Sequence, residues 1–494
     1  MGVREQRHAR SRVRRIASWI PEAIVVLLVA SAAANLAFDL DERWFGLDHA
    51  DARRQPAQVQ PPAGLDLVAG SPAPEVAGSS PGGAISDAAV RQALAAYVSD
   101  PSLGPHVDVA VGDLAGEHTV FRSGVGAVTP ASTNKLLTAT AALQELGPMA
   151  RFRTTVRQDG RGIVLVGGGD PFLASTRAAA KGLYPARATL DDLAARTATT
   201  LTGQGLHKVR VSYDASMFTG PTVDPAWPAS YLSQDVVPPI TALWADEGQG
   251  PDGRYVADPA AAAAAQFAGE LAAHGVTVRG TPQPASATGA DKEIAAVESA
   301  PLGEIVERTL AVSDNNAAEV LAHQVGIAVQ HDGSFAGGVA GVAHVLEGLG
   351  VDTTGASLYD GSGLSRRDRL SPETLLDVLR VAASSQHPKL RAVLTGLPVA
   401  GFTGSLQWRF DDAPAAARGR VRAKTGTLTG VSGLAGIVTD LDGNRMAFVA
   451  IADRIDPPQT LAARKALDLI AAALAGCHCG QEPSSDGPTA GPTS

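Results

Sequence analysis

Residues 130–147 read Pro130-Ala131-Ser132-Thr133-Asn134-Lys135-Leu136-Leu137-Thr138-Ala139-Thr140-Ala141-Ala142-Leu143-Gln144-Glu145-Leu146-Gly147. The stretch is a helix with both ends marked: a proline and a serine open it, an apolar run carries it, and Gly147 closes it. A serine at a helix start lies beside free backbone N–H groups and the positive end of the helix dipole. Lys135 follows Ser132 by three residues, so the two side chains share a face. A lysine partly buried there loses proton affinity and can serve as the base for the serine. The plainer alternative is a capping serine followed by a solvated lysine.

Two later triplets decide between these readings. Ser313-Asp314-Asn315 falls between a helical segment at 302–310 and another at 317–325. It supplies a second hydroxyl and an amide. On its own it would be an ordinary polar turn. Lys424-Thr425-Gly426 ends an alternating stretch that begins at Val421, and two more strand-like runs follow at 431–439 and 445–452, joined by Asp442-Gly443-Asn444. That pattern is an antiparallel meander with a turn signal. Gly426 would keep the strand edge bare for a substrate backbone. Ser132-Thr133-Asn134-Lys135, Ser313-Asp314-Asn315 and Lys424-Thr425-Gly426 occur in the S-x-x-K, S-D-N, K-T-G order, an acyl-transfer set without a catalytic histidine.

The chain therefore resembles the class C low-molecular-weight penicillin-binding proteins, D-alanyl-D-alanine carboxypeptidases and endopeptidases with a domain inserted after the nucleophile helix. Further stretches similar to that family are Val166-Gly167-Gly168-Gly169-Asp170-Pro171, Tyr213-Asp214 and Asp360-Gly361-Ser362-Gly363-Leu364-Ser365-Arg366. The likeness runs from about residue 86 to about residue 476. Ser313 lies 181 residues beyond Ser132, more than a simple β-lactamase plan needs, and this points to the inserted-domain class. The Gly167–Gly169 run lacks the context of a phosphate-binding loop and reads as a turn.

The resemblance implies an α/β (α+β) fold: a discontinuous penicillin-binding, serine β-lactamase-like domain with an antiparallel sheet flanked by helices, plus a β-rich insertion. We expect the catalytic domain at 86–151 and 256–479 and the inserted domain at 152–255. It also implies roles. Ser132 is the nucleophile and Lys135 its base. Ser313 relays a proton to the leaving amine, tuned by Lys424, and Asn315 holds the peptide backbone. Lys424, Thr425 and Thr427 receive the terminal carboxylate on the strand carrying Gly426. The N–H groups of Ser132 and Thr427 form the oxyanion hole, and 360–366 lies near the substrate side chain. The expected substrate is a peptidoglycan stem peptide and the expected inhibitors are β-lactams. Rival readings are an endopeptidase cutting crosslinks, a β-lactamase, and a non-enzymatic wall scaffold.

Composition agrees with an exported globular enzyme. Of 494 residues, 45% are hydrophobic and 18% charged, enough for a large core. The net charge is −9 with no basic patch beyond the N-terminus, which argues against nucleic acid as partner. Six arginines between Arg4 and Arg15 precede a short apolar run from Ala23. Residues 1–42 thus read as an export signal or an uncleaved membrane anchor, with the bulk of the chain on the periplasmic or cell-wall side of the membrane. Residues 43–85 are a Pro/Ala/Gly linker and 480–494 a disordered tail. No cofactor or catalytic metal is expected. Cys477 and Cys479, with His478 between them, lack a fourth metal ligand, and a bridge between them would close a very short loop. They read as a structural or incidental pair.

Overall fold

The computed structural model describes residues 84–480 apart from Val125 and Arg161. The expected export segment, nearly all of the linker and the tail lie outside the described residues. No helix among the described residues is long and apolar enough to cross a membrane.

The chain opens with helix α1 (Asp87–Leu94), capped by Ser86, and strands β1 (Val107–Asp113) and β2 (Thr119–Ser123). Near the other end come β9 (Val421–Leu428), β10 (Val431–Thr439) and β11 (Arg445–Ala452). These five form one antiparallel sheet in the order β2-β1-β11-β10-β9, so the termini meet in its centre. β11 is buried along nearly its whole length because both faces are covered. Ala447, Val449 and Ile451 enter one core, whereas Phe448, Ala450 and Ala452 enter the other. This is the two-residue alternation of a strand. The second of these cores is roofed by the last helix, Thr460–Ala475.

A helical lobe covers the opposite face. Helix α2 (Lys135–Leu146) has every residue from Lys135 to Leu143 buried, as expected of a helix with no polar face. It follows a 3-10 turn, Ala131–Asn134, that carries Ser132. Around α2 stand helices from both later parts of the chain, and its leucines Leu136, Leu137 and Leu143 pack with Leu302, Leu310, Leu321, Leu346 and Leu379.

The second sheet comprises β3 (Arg153–Asp159), β4 (Gly162–Val166), β5 (Lys208–Asp214), β6 (Thr277–Val278), β7 (Gln283–Pro284) and β8 (Lys292–Glu298). Its order is β6-β5-β4-β3-β8, with β7 also pairing β5. It is mixed: β4 and β5 run parallel, β3 pairs antiparallel with β4 and β8. Helices α3 (Leu190–Gly203) and α4 (Pro259–Ala273) pack on it through Leu193, Leu201, Phe267 and Leu271. Residues 256–298 join this sheet and its core rather than the catalytic sheet, because β8 pairs along β3 and α4 buries its apolar face against α3. A parallel pair needs a crossover, which α3 supplies between β4 and β5.

The remaining helices of the lobe are α5 (Leu302–Val312), α6 (Asn315–Gln330), α7 (Phe335–Gly348) and α8 (Pro372–Ala383), and α9 (Thr460–Ala475) closes the chain against β10 and α1. Cys477 and Cys479 form a disulfide beyond α9. The Cys479 carbonyl accepts from the Ser86 N–H at 2.8 Å, which ties the end of the enzyme to its start.

Candidate active site

The local sequence explains each side chain's position. Ala131 has φ 47°, a conformation uncommon for a residue with a Cβ. It lets the chain turn sharply into the 3-10 segment and present Ser132 at the head of α2. Ser313 ends α5 with φ 62°. Asp314 then caps α6, accepting from the Ala317 N–H at 3.0 Å, and Asn315 is the first residue of α6. The S-D-N triplet is thus a helix stop, a cap and a helix start. Lys424, Thr425 and Thr427 lie on β9, the edge strand of the sheet.

These elements bring all the expected catalytic residues together. Lys135 is fully buried. Its Nζ lies 2.8 Å from Ser132 Oγ, 2.7 Å from Asn315 Oδ1 and 2.7 Å from the Ser362 carbonyl oxygen. Lys424 is also fully buried; its Nζ donates to Ser313 Oγ at 2.7 Å and to the Thr425 carbonyl at 2.8 Å. A cleft of about 320 Å³ is lined by Ser132, Ser313, Asn315, Thr425 and Thr427, and also by Ser405, Arg409 and Arg464. Ser405 Oγ lies 2.9 Å from Thr425 Oγ1.

Burial controls the charges. Desolvation pulls Lys135 down to about 8 against the opposing pull of Asp360, Glu319 and Asp314. Lys424 falls well below its ordinary value through burial and then through the nearby Lys135. Burial, then Asp360, pushes Glu319 upward.

The sequence reading passed over part of this site. Glu319 stands four residues beyond Asn315, one helical turn along α6, and that spacing was the available signal. Its carboxylate accepts from the Gly361 N–H at 3.0 Å and the Ser362 N–H at 2.7 Å. The loop it holds delivers the Ser362 carbonyl to Lys135. Asn134 Nδ2 and Thr138 Oγ1 donate to the Asp360 and Gly361 carbonyls of the same loop. Residues 360–363 are therefore a backbone cradle under Lys135. Arg409, Arg464 and Ser405 carried no sequence signal.

Gly426 has a different reason for being glycine from the one its strand pattern suggests. A Cβ there would lie 2.7 Å from the Pro130 carbonyl oxygen and 3.3 Å from Thr133 Cγ2. The bare Cα lets β9 lie against the nucleophile turn, rather than baring the outer strand edge. Gly426→Ala should move the turn away from β9 and slow acylation of Ser132 by at least tenfold, with a lower melting temperature. An unchanged acylation rate would contradict this packing role.

Acylation should rise with pH. With Lys135 at about 8, roughly a tenth of the molecules carry the neutral amine at pH 7. If the neutral form is the base, the rate of penicillin acylation should climb from pH 6 through 8 and level off only above about pH 9. A flat stopped-flow profile over pH 6–9 would exclude Lys135 as the titrating base.

Comparisons with known proteins show the family. The family model for the D-Ala-D-Ala carboxypeptidase 3 (S13) family matches residues 90–252 and 251–474. A carboxypeptidase of Mycobacterium tuberculosis is 35% identical over 404 residues, covering 80% of this chain and 85% of that protein. Carboxypeptidase DacB of Mycolicibacterium smegmatis is 34% identical over 474 residues, 93% of this chain and 96% of its own. The crystal structure of penicillin-binding protein 4 (dacB) of Haemophilus influenzae shares the fold, with a TM-score of 0.65 at 21% identity over 77% of this chain and 98% of that one. By family match and by relatives alike, the chain belongs to the D-Ala-D-Ala carboxypeptidase 3 (S13) family and is a serine-type carboxypeptidase, a hydrolase.

Proposed function

We propose that the protein removes the last D-alanine from peptidoglycan stem peptides through an acyl-enzyme on Ser132. The contact set of Lys135 Nζ carries the mechanism. Two of its three partners, Asn315 Oδ1 and the Ser362 carbonyl, are acceptors only. A neutral amine has two N–H groups and one lone pair. With both N–H groups on those acceptors, the lone pair faces Ser132 Oγ at 2.8 Å, the arrangement a general base requires.

Ser132 Oγ then attacks the carbonyl between the two D-alanines while its proton passes to Lys135. The Oδ1 contact leaves the Asn315 amide N–H₂ to hold the substrate's backbone. β9 offers the edge along which an extended peptide lies. The Val421 carbonyl accepts from the Ala400 N–H, and the Ala423 N–H donates to the Pro398 carbonyl, both away from β10. Strand alternation gives Thr425 and Thr427 the same outward backbone direction. The Thr427 N–H is thus available, with that of Ser132, for the oxyanion. As the C–N bond breaks, the leaving amine takes a proton from Ser313, backed by Lys424. Water hydrolyses the ester.

A β-lactam is a reactive amide with a neighbouring carboxylate, and it should enter by the same route. The Haemophilus influenzae protein has been solved with a β-lactam bound, at 22% identity and a TM-score of 0.58. The wall substrate places the enzyme outside the cytoplasm, and the Cys477–Cys479 disulfide suits an oxidising compartment. On the strand pairings above, the inserted domain spans 152–298.

Ser132→Ala should abolish both penicillin labelling and D-alanine release from a peptide ending in D-Ala-D-Ala, while circular dichroism stays that of the parent. Mass spectrometry showing a penicilloyl adduct on the variant would refute the nucleophile assignment. Lys135→Ala should slow acylation roughly 10²–10⁴-fold, as expected on losing a general base. A rate within a few-fold of the parent would move that role to Lys424.

A further inference from the structure

We propose that Arg464, on the last helix, is the cation that binds the substrate's terminal carboxylate. The inference rests on the carboxypeptidase reading above and concerns how that site recognises the chain end.

A carboxypeptidase substrate always brings one negative charge into the cleft. The two lysines of the site are poorly placed to meet it. Lys424 has no exposed surface, and its amine is committed to Ser313 and the Thr425 carbonyl. Lys135 is equally buried and faces the nucleophile. The charge that reaches the cleft wall comes from α9 and the segment before β9. Arg409 and Arg464 both line the cleft beside Thr425 and Thr427.

Only one carboxylate serves these two guanidiniums. Asp468 takes both its oxygens to Arg409, at 2.7 Å from Nη2 and 3.2 Å from Nε. Arg409 Nη2 also donates to the Arg464 carbonyl. Arg464, one helical turn before Asp468, has no hydrogen bond or ion pair from its own guanidinium among the described residues. Two positive charges and one negative leave a net charge of +1 at the cleft wall. Arg464 is half-buried, and burial and then the nearby Arg409 work against its charge, with Asp468 opposing them. An incoming carboxylate would relieve that imbalance. Arginine suits the task, because its planar fork matches a carboxylate bidentately while the Thr425 and Thr427 hydroxyls reach the same oxygens from the strand. Arg464 also borders a neighbouring pocket with Trp408 and Leu461, so its side chain has room to swing.

The test compares kcat/KM for a peptide ending in D-Ala-D-Ala with that for its C-terminal amide, in the parent, Arg464→Gln and Arg464→Lys. The parent should prefer the acid. In Arg464→Gln that preference should fall about 10–150-fold, the loss of one charge-assisted contact. Arg464→Lys should recover part of it, which repair of a folding defect would not explain, since the ratio is internal to each variant. A parent that prefers the acid and an Arg464→Gln variant that keeps the full preference would overturn the assignment to Arg464 alone. A parent that releases no D-alanine from the acid would instead refute the carboxypeptidase reading on which it rests.

Discussion

The burial of Lys135 is the constraint on which the rest of the site is built. A lysine with no exposed surface is tolerated only if its nitrogen is fully partnered or has shed its proton. Here the first condition is met and the second is brought within reach. Three neighbours at 2.7–2.8 Å satisfy the nitrogen, and desolvation outweighs the three nearby carboxylates, so the net shift is downward. A solvated lysine in the same position would keep its ordinary value near 10.5 and offer the serine a far smaller neutral fraction at pH 7 than Lys135 at about 8. The apolar helix α2, with its lack of a polar face, is what makes this possible: it sinks Lys135 into the lobe at the one point where polar partners converge.

Those partners arrive from three distant parts of the chain, and each depends on close backbone approach. Asn315 comes from the first turn of α6, the Ser362 carbonyl from the loop before α8, and Ser132 from the turn before α2. Glu319 holds the loop through two backbone N–H groups. A Cβ on Gly363 would collide with the Ala131 carbonyl, and one on Gly361 would come within 2.5 Å of Ala322 Cβ. Packing density therefore sets catalytic geometry directly. A displacement of the loop by one methyl group would withdraw an acceptor from Lys135 and free an N–H that competes with its lone pair.

Much of this was legible in the sequence because it is written locally. Ser132 and Lys135 are three apart, the S-D-N triplet contains its own helix cap, and the strand-like runs 431–439 and 445–452, separated by a turn signal, are the bounds that β10 and β11 occupy. The discontinuous domain with an antiparallel sheet followed from the family resemblance, and the first and last strands do share that sheet. What was illegible is what depends on long-range pairing. β8 carries little alternation of its own, and only its pairing with β3 places it in the second sheet. Helix α7 contains four glycines, so propensity argues against it; two of them, Gly338 and Gly341, let it approach α6 closely, and their added Cβ atoms would lie 2.9 Å and 3.1 Å from α6 carbonyls. Glu319 and Arg464 look like ordinary helix-surface charges until the fold sets one against a loop and the other against a cleft.

The two buried lysines are not equivalent, and their inequality gives the proposed reaction its direction. Lys135 has Asp360, Glu319 and Asp314 to support a positive charge, whereas the largest influence on Lys424 after burial is Lys135 itself. When Lys135 accepts the serine proton it becomes a cation in a pocket with carboxylates to stabilise it. The same event raises the cost of a charge on Lys424, whose proton is then released more readily through Ser313, 2.7 Å away. Proton uptake at one lysine thus favours proton delivery at the other, on the side of the cleft where the leaving amine departs. The low dielectric that makes each lysine costly to charge is also what makes their coupling strong.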